Sequence, residues 1–387
     1  MALAQLATAA RPRSAAVTHT MRLTYVDTLR TLVIAMVIVH HAGQAYGPTG
    51  GEWPIANPTR AVILEPFFTV NAAFGLGLLF LLAGYFVPHA SDRKGASRFL
   101  VDRLIRLGLP LLFVSLVLLL PFVYVAERQG EPFGRFLANY LRRPETGHMW
   151  FVAHLILYSC GYAGWRWLTH RDALRRPGGA PSHRTILGYA LGLALASFLV
   201  RVWSPIDRWV DPAPFITVEL AHLPQYLSLF ILGIVAYQRD WLAQLPAKTG
   251  IAWLKVGLIT AALPYAAFML REVAAIDITL SVAGGLSLSA LVSSAIEALI
   301  AVGLIVGLLT LFRERLNRQG ALARELASSS YASYVIHIFP VVGLQVALEG
   351  SSMPPLAKFG IVALLAVPLT FLLAFGLCRL PGVRRVM

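Results

Sequence analysis

The sequence predicts an all-α, polytopic integral membrane helical bundle of about ten transmembrane helices with both termini cytoplasmic. Three observations lead there. Of the 387 residues, 57% are hydrophobic and only 13% charged, whereas soluble domains carry about a quarter charged residues. Ten apolar stretches reach membrane-crossing length, near 25–45, 67–88, 107–126, 150–168, 185–203, 217–237, 251–270, 288–312, 330–349 and 359–378. The cations between them are distributed unevenly. With the N-terminus inside, the inner segments hold twenty-one Lys and Arg and the outer loops eight. The remaining four of the 33, Arg30, Arg166, Arg201 and Lys255, lie in spans. That is the positive-inside pattern, and only the loop 127–149, with four cations, goes against it.

This distribution also accounts for the formal net charge of +14. The implied partner is the bilayer, and no nucleic acid is expected. Residues 1–24 read as a disordered cytoplasmic leader. They lack the continuous apolar core of a cleaved signal peptide, and Met21 offers a second possible start. Residues 25–379 form one transmembrane domain, with no tandem repeat and no loop long enough to fold apart. Residues 380–387 are a cytoplasmic tail. Cys160 and Cys378 both fall in apolar spans, where they read as small buried hydrophobes. They form no disulfide framework and no metal spacing.

The first span carries the densest chemistry. In Tyr25–Tyr46, Asp27 and Arg30 lie near one end and His40 and His41 near the other. Ionisable groups in a span are expensive and mark functional sites. Arg30 and His41 are eleven residues apart, three turns plus roughly 20°, so they share a helix face about 16 Å apart along the axis. His40 is turned roughly 80° away from Arg30 and reads as packing. Asp27 is positioned to pair with Arg30. Arg30 alone could be a headgroup anchor, but that does not explain His41, whose imidazole suits proton transfer near neutral pH.

Four later stretches add candidates. Arg103 and Arg106 sit one turn apart, as inner-face anchors or as a clamp for phosphates. Phe80–Phe86 contains Gly84, which permits close helix packing. At the start of the fourth span, His148 lies at the outer face. Trp150 reads as an interface aromatic, and His154 falls at a depth comparable to His41. The two could line one cavity, or His154 could be a core histidine. In Ser328–His337, Tyr334 shares a face with His337, which suits either a site lining or a hydrogen-bonded helix contact. Glu297 is an acid in mid-span, with Arg30, Arg201 or a histidine as possible partners. Glu219 and His222 are weaker candidates.

Several of these motifs together resemble one family. They are Arg30 with ten residues before His41, the opening Tyr25-Val-Asp-Thr-Leu-Arg30 with His41-Ala, Tyr46-Gly and Trp53-Pro54, and the Arg103-x-x-Arg106 pair. They also include His148-Met-Trp150-Phe and the late Ser330-Tyr331-x-x-Tyr334-x-x-His337 element. The chain resembles the membrane-bound acyltransferase-3 family, and its opening looks most similar to the glucan-succinylating branch. Ala83 stands where many members have serine. The resemblance implies an O-acyltransferase of the bacterial inner membrane. It would take acyl groups from cytoplasmic acyl-CoA, a substrate and not a bound cofactor, to a hydroxyl of a periplasmic carbohydrate. It gives His41 the role of general base, with Arg30 and His337 supporting. Arg103 and Arg106 would hold coenzyme A, while His148, Trp150 and Tyr334 would line donor or acceptor; His154, Glu297 and Asp27 are given no role by the motifs and stand as lining candidates on depth, mid-span charge and spacing alone. No metal is implied. Direct transfer is expected, since no serine or cysteine nucleophile matches a motif. The rival reading is a proton-coupled transporter using the buried Arg, His and Glu. A non-catalytic receptor fits the density of titratable groups least.

Overall fold

The computed structural model describes residues 23–48, 53–127, 130–169, 178–274 and 284–387. Nearly all of the expected leader, 1–22, and the second start at Met21 lie outside them. The helices are α1 (Thr24–Gln44), α2 (Glu65–Lys94), α3 (Ala96–Tyr124), α4 (Phe133–Arg142), α5 (Trp150–Thr169) and α6 (His183–Arg201). A hairpin of β1 (Trp209–Ala213) and β2 (Ile216–Glu219) follows. Then come α7 (Leu223–Arg239), α8 (Ala247–Glu272), α9 (Leu288–Arg315), α10 (Ala321–Ile336), α11 (Ile338–Ala347) and α12 (Pro355–Leu377).

Among the described residues, eight helices are long and apolar enough to cross a membrane, and the bent pair α10–α11 makes a ninth. The tenth expected span is α5, which has the length but carries His154 and Arg166. Lipid accounts for the outward leucines and isoleucines, such as Ile259, Leu364 and Leu372, which are well exposed. Cys160 is also exposed, not buried as expected, while Cys378 is half-buried.

α1 runs through the middle of the assembly. It packs on α2, α9, α10, α11 and α12, and Leu29 and Ile38 are fully buried in the core it shares with them. Its start is tied down by Gln319, which donates to the Thr24 carbonyl at 3.0 Å and to Thr28 Oγ1 at 2.9 Å. α2 and α7 approach backbone to backbone. A Cβ on Gly84 would lie 2.0 Å from the Phe230 carbonyl oxygen, and one on Gly233 2.1 Å from that of Leu81. The expectation that Gly84 serves close packing therefore holds.

Two helices depart from the ideal. α3 passes through two π-helical stretches, Leu104–Gly108 and Val114–Leu119. The expected single span 330–349 is broken at His337, where α10 and α11 meet at a 62° bend. Pro340 supplies the cause. It has no N–H to give, and its ring crowds the carbonyl four residues back, at Ile336. The loop 127–149 that opposed the charge trend contains α4, an amphipathic helix that buries Phe136 and Tyr140 and leaves its arginines outward.

Candidate active site

The helix break delivers His337 to His41. The two side chains meet, with His41 Nδ1 2.7 Å from His337 Nε2. The rings lie 22° apart in plane with centroids 4.9 Å apart. Nitrogens in contact and centroids so far apart mean that the rings lie side by side, joined through an in-plane N–H···N bond. His337 is fully buried, and its Nδ1 is 2.5 Å from the Tyr334 backbone carbonyl.

That carbonyl settles the tautomers. A carbonyl oxygen only accepts, so His337 Nδ1 carries a proton. In neutral His337 the other nitrogen, Nε2, is then an acceptor, and His41 Nδ1 must donate to it. The lone pair of neutral His41 is left on Nε2. Among the described residues nothing hydrogen-bonds that atom, and His41 is only half-buried. The chain Tyr334 carbonyl, His337, His41 thus ends in a reachable basic nitrogen, held in orientation by a partner that is itself held.

Two side chains frame His41 that the sequence reading gave no role. Trp53 lies parallel to it, 11° between planes and 5.2 Å between centroids, an offset-stacked geometry. Gln345, fully buried, accepts from Trp53 Nε1 at 2.9 Å and donates to the His41 and Ala42 carbonyls at 3.2 Å each. His40 packs edge-on against Phe68, at 5.0 Å, as expected for a packing residue.

The other candidates separate. Arg30 pairs with Asp27 at 3.1 Å, as expected, and reaches the Ala327 carbonyl at 3.5 Å. It is not brought to His41: the helix rise keeps the two about 16 Å apart. Tyr334 is buried, and its hydroxyl donates to the His148 carbonyl. It is the hydrogen-bonded helix contact, while its backbone carbonyl orients His337. His148 is buried against His337. Its ring packs edge-on against His337 at 4.8 Å, and its Nε2 donates to the Val335 carbonyl at 2.9 Å. Among the described residues His154 and His41 share no hydrogen-bond or ring partner. His154 is a core histidine whose Nε2 donates to the Thr217 carbonyl at 3.1 Å, among Phe80, Trp150 and Tyr158. Trp150 packs inward on Tyr226 and the hairpin's Trp209.

Glu297 belongs to a second polar cluster. One carboxylate oxygen takes Arg201 at 2.6 Å and the other His222 Nε2 at 3.0 Å. His222 Nδ1 faces Glu219 at 2.7 Å, and the Asp207 amide donates to Glu219 at 2.8 Å. With a carboxylate on each ring nitrogen, His222 serves both only as imidazolium. Two cations then balance two anions, joining α6, the hairpin, α7 and α9. Arg103 and Arg106 stand at the Arg30 end. Arg103 lies over Phe99 at 5.5 Å, Arg106 is exposed, and Tyr331 donates to the Arg106 carbonyl at 2.9 Å. Among the described residues no cluster of His, Cys, Asp and Glu is arranged to hold a metal ion.

The bundle and this histidine pair define a membrane protein with two hydrogen-bonded imidazoles in its interior. The family described as "Acyltransferase domain" matches residues 23–376, and the chain belongs to that family. Curated relatives include glucans biosynthesis protein C of Salmonella agona (strain SL483) and of Salmonella heidelberg (strain SL476). Each is 24% identical over 225 residues, covering 55% of this chain and 58% of the relative. The chain thus spans little more than half the length of these relatives. No solved structure matches it.

Proposed function

We propose that the chain transfers an acyl group from a cytoplasmic acyl-CoA to a hydroxyl of a periplasmic glucan or another envelope carbohydrate. It would do so in the bacterial inner membrane, with both termini cytoplasmic. The observation that carries this reading is the His41–His337–Tyr334 carbonyl chain, which leaves His41 Nε2 unprotonated and reachable. His41 Nε2 takes the proton of the acceptor hydroxyl as its oxygen attacks the thioester carbonyl carbon. The tetrahedral oxyanion collapses, the carbon–sulfur bond breaks, and the thiolate leaves with the proton returned by His41. His337 holds the imidazole in the required tautomer throughout. Arg30 is distant, and both ring nitrogens of His337 are occupied by Tyr334 and His41, so neither donates to the oxyanion in this arrangement. Arg103 and Arg106, at the end of the bundle where the cations concentrate, would take the coenzyme A phosphates. The acceptor class is supported by the relatives' name, glucans biosynthesis protein C.

A proton-coupled carrier would draw on buried charge held in reserve. Arg201, Glu297, His222 and Glu219 instead satisfy one another. The two readings separate in lipid vesicles given labelled acetyl-CoA or succinyl-CoA and an envelope-carbohydrate extract. Release of free thiol with label on carbohydrate supports the transferase and identifies the donor. Proton-linked flux without thiol release contradicts it.

A further inference from the structure

We propose that Trp53, anchored by Gln345, is a positioning residue that stabilises the protonated form of His41 during the reaction. This rests on His41 acting as the base.

A base that accepts a proton becomes a cation, and a cation inside a membrane protein needs compensation. Hydrolytic triads meet this need with a carboxylate behind the histidine. Here the partner behind His41 is another imidazole. The titratable neighbours of His41 are His40 on its own helix, edge-on with ring centroids 5.9 Å apart, His337, and His148 behind His337. All are bases. The buried Lys358 of α12 is engaged elsewhere, on Asn57 Oδ1 at 3.0 Å. Among the described residues no carboxylate hydrogen-bonds to His41. The imidazolium is therefore met by no carboxylate among the described residues: His337 Nε2 accepts its Nδ1 proton but brings no negative charge.

Trp53 adds an electron-rich face to that acceptor. Its indole lies 5.2 Å from the imidazole, centroid to centroid, and nearly parallel. That is within the range of about 6 Å at which an aromatic face attracts a cation, and tryptophan has the strongest such face. The placement is built. Trp53 Nε1 can only donate, so Gln345 presents its oxygen to the indole and its NH2 to the His41 and Ala42 carbonyls. One buried amide thereby ties the ring over His41 to the backbone carrying His41. A surface tryptophan at the membrane interface would need no such anchor.

The test reads protonation of His41 without needing the acceptor. Diethyl pyrocarbonate acylates neutral imidazole, and the modified His41 peptide is quantified by mass spectrometry across pH in the full-length protein in detergent. The midpoint pH is read, since the rate also reports access. Trp53→Phe keeps a weaker aromatic face, and Trp53→Leu keeps apolar bulk without one. The expected midpoints fall in the order wild type, Trp53→Phe, Trp53→Leu, over a total of about half a unit to one unit. Gln345→Leu shifts the midpoint in the same direction by freeing the indole. The acid limb of transfer activity should move with these midpoints. Coincident midpoints, or a rise on removing the ring, would overturn the proposal even if transfer still depends on His41. Transfer that survives His41→Ala would instead remove the reading on which it rests. Size-exclusion profiles identify any variant that fails to fold, and Trp53→Phe, which conserves the ring, then carries the test.

Discussion

His41 Nδ1 and His337 Nε2 stand 2.7 Å apart, although 296 residues separate them in the chain. The contact exists because α10 ends at His337, where Pro340 prevents a straight continuation. Replacing His337 with alanine leaves His41 in place but frees its ring and its tautomer. Transfer should fall by about a hundred- to ten-thousand-fold, the range of a lost acid–base contribution, with the KM for donor little changed. Steady-state kinetics on the purified variant check this.

Tyr334 separates side chain from backbone. Its carbonyl orients His337, while its hydroxyl serves the His148 carbonyl. Tyr334→Phe keeps the first bond and orphans the second acceptor. Stability should drop by about 1–3 kcal/mol, and turnover should stay near that of wild type. Thermal unfolding in detergent and the transfer assay give the two readouts.

Glu297→Gln leaves Arg201 and His222 without their shared counter-ion. Breaking a buried pair from one side costs about 3–5 kcal/mol, so the variant should unfold well below wild type. The pH profile of whatever activity remains should match wild type, because the cluster does not reach His41. A displaced profile would place Glu297 in the chemistry.

Arg103→Ala and Arg106→Ala should raise the KM for acyl-CoA with kcat nearly preserved, the signature of lost ground-state binding. Equal losses in kcat and kcat/KM would move the arginines into the reacting site.

Much of this arrangement was legible in the residues. The Asp27–Arg30 pair followed from spacing, and His41 and His337 were singled out as ionisable groups in apolar spans. Spacing along one helix says nothing of what another helix brings, so the in-plane bond between the two histidines was not readable. The break that makes it possible had a visible signal in Pro340. Gln345, a lone amide in Ile338–Ala347, was open to the same rule that flagged Glu297. Trp53 follows the first span closely but could not be oriented without Gln345. His154 misled because depth in the membrane does not fix the face a side chain presents. Lys358, just before the last expected span, is buried against Asn57. Charge counting cannot distinguish a solvated lysine from one drawn into the bundle.

The most direct measurement is label transfer from acyl-CoA to envelope carbohydrate by purified protein in vesicles, comparing wild type with His41→Ala of verified fold. The structure predicts transfer by the wild type and loss of nearly all of it in the variant, with acyl-CoA binding retained. Wild-type rates in folded His41→Ala would contradict the assignment of His41 as the base.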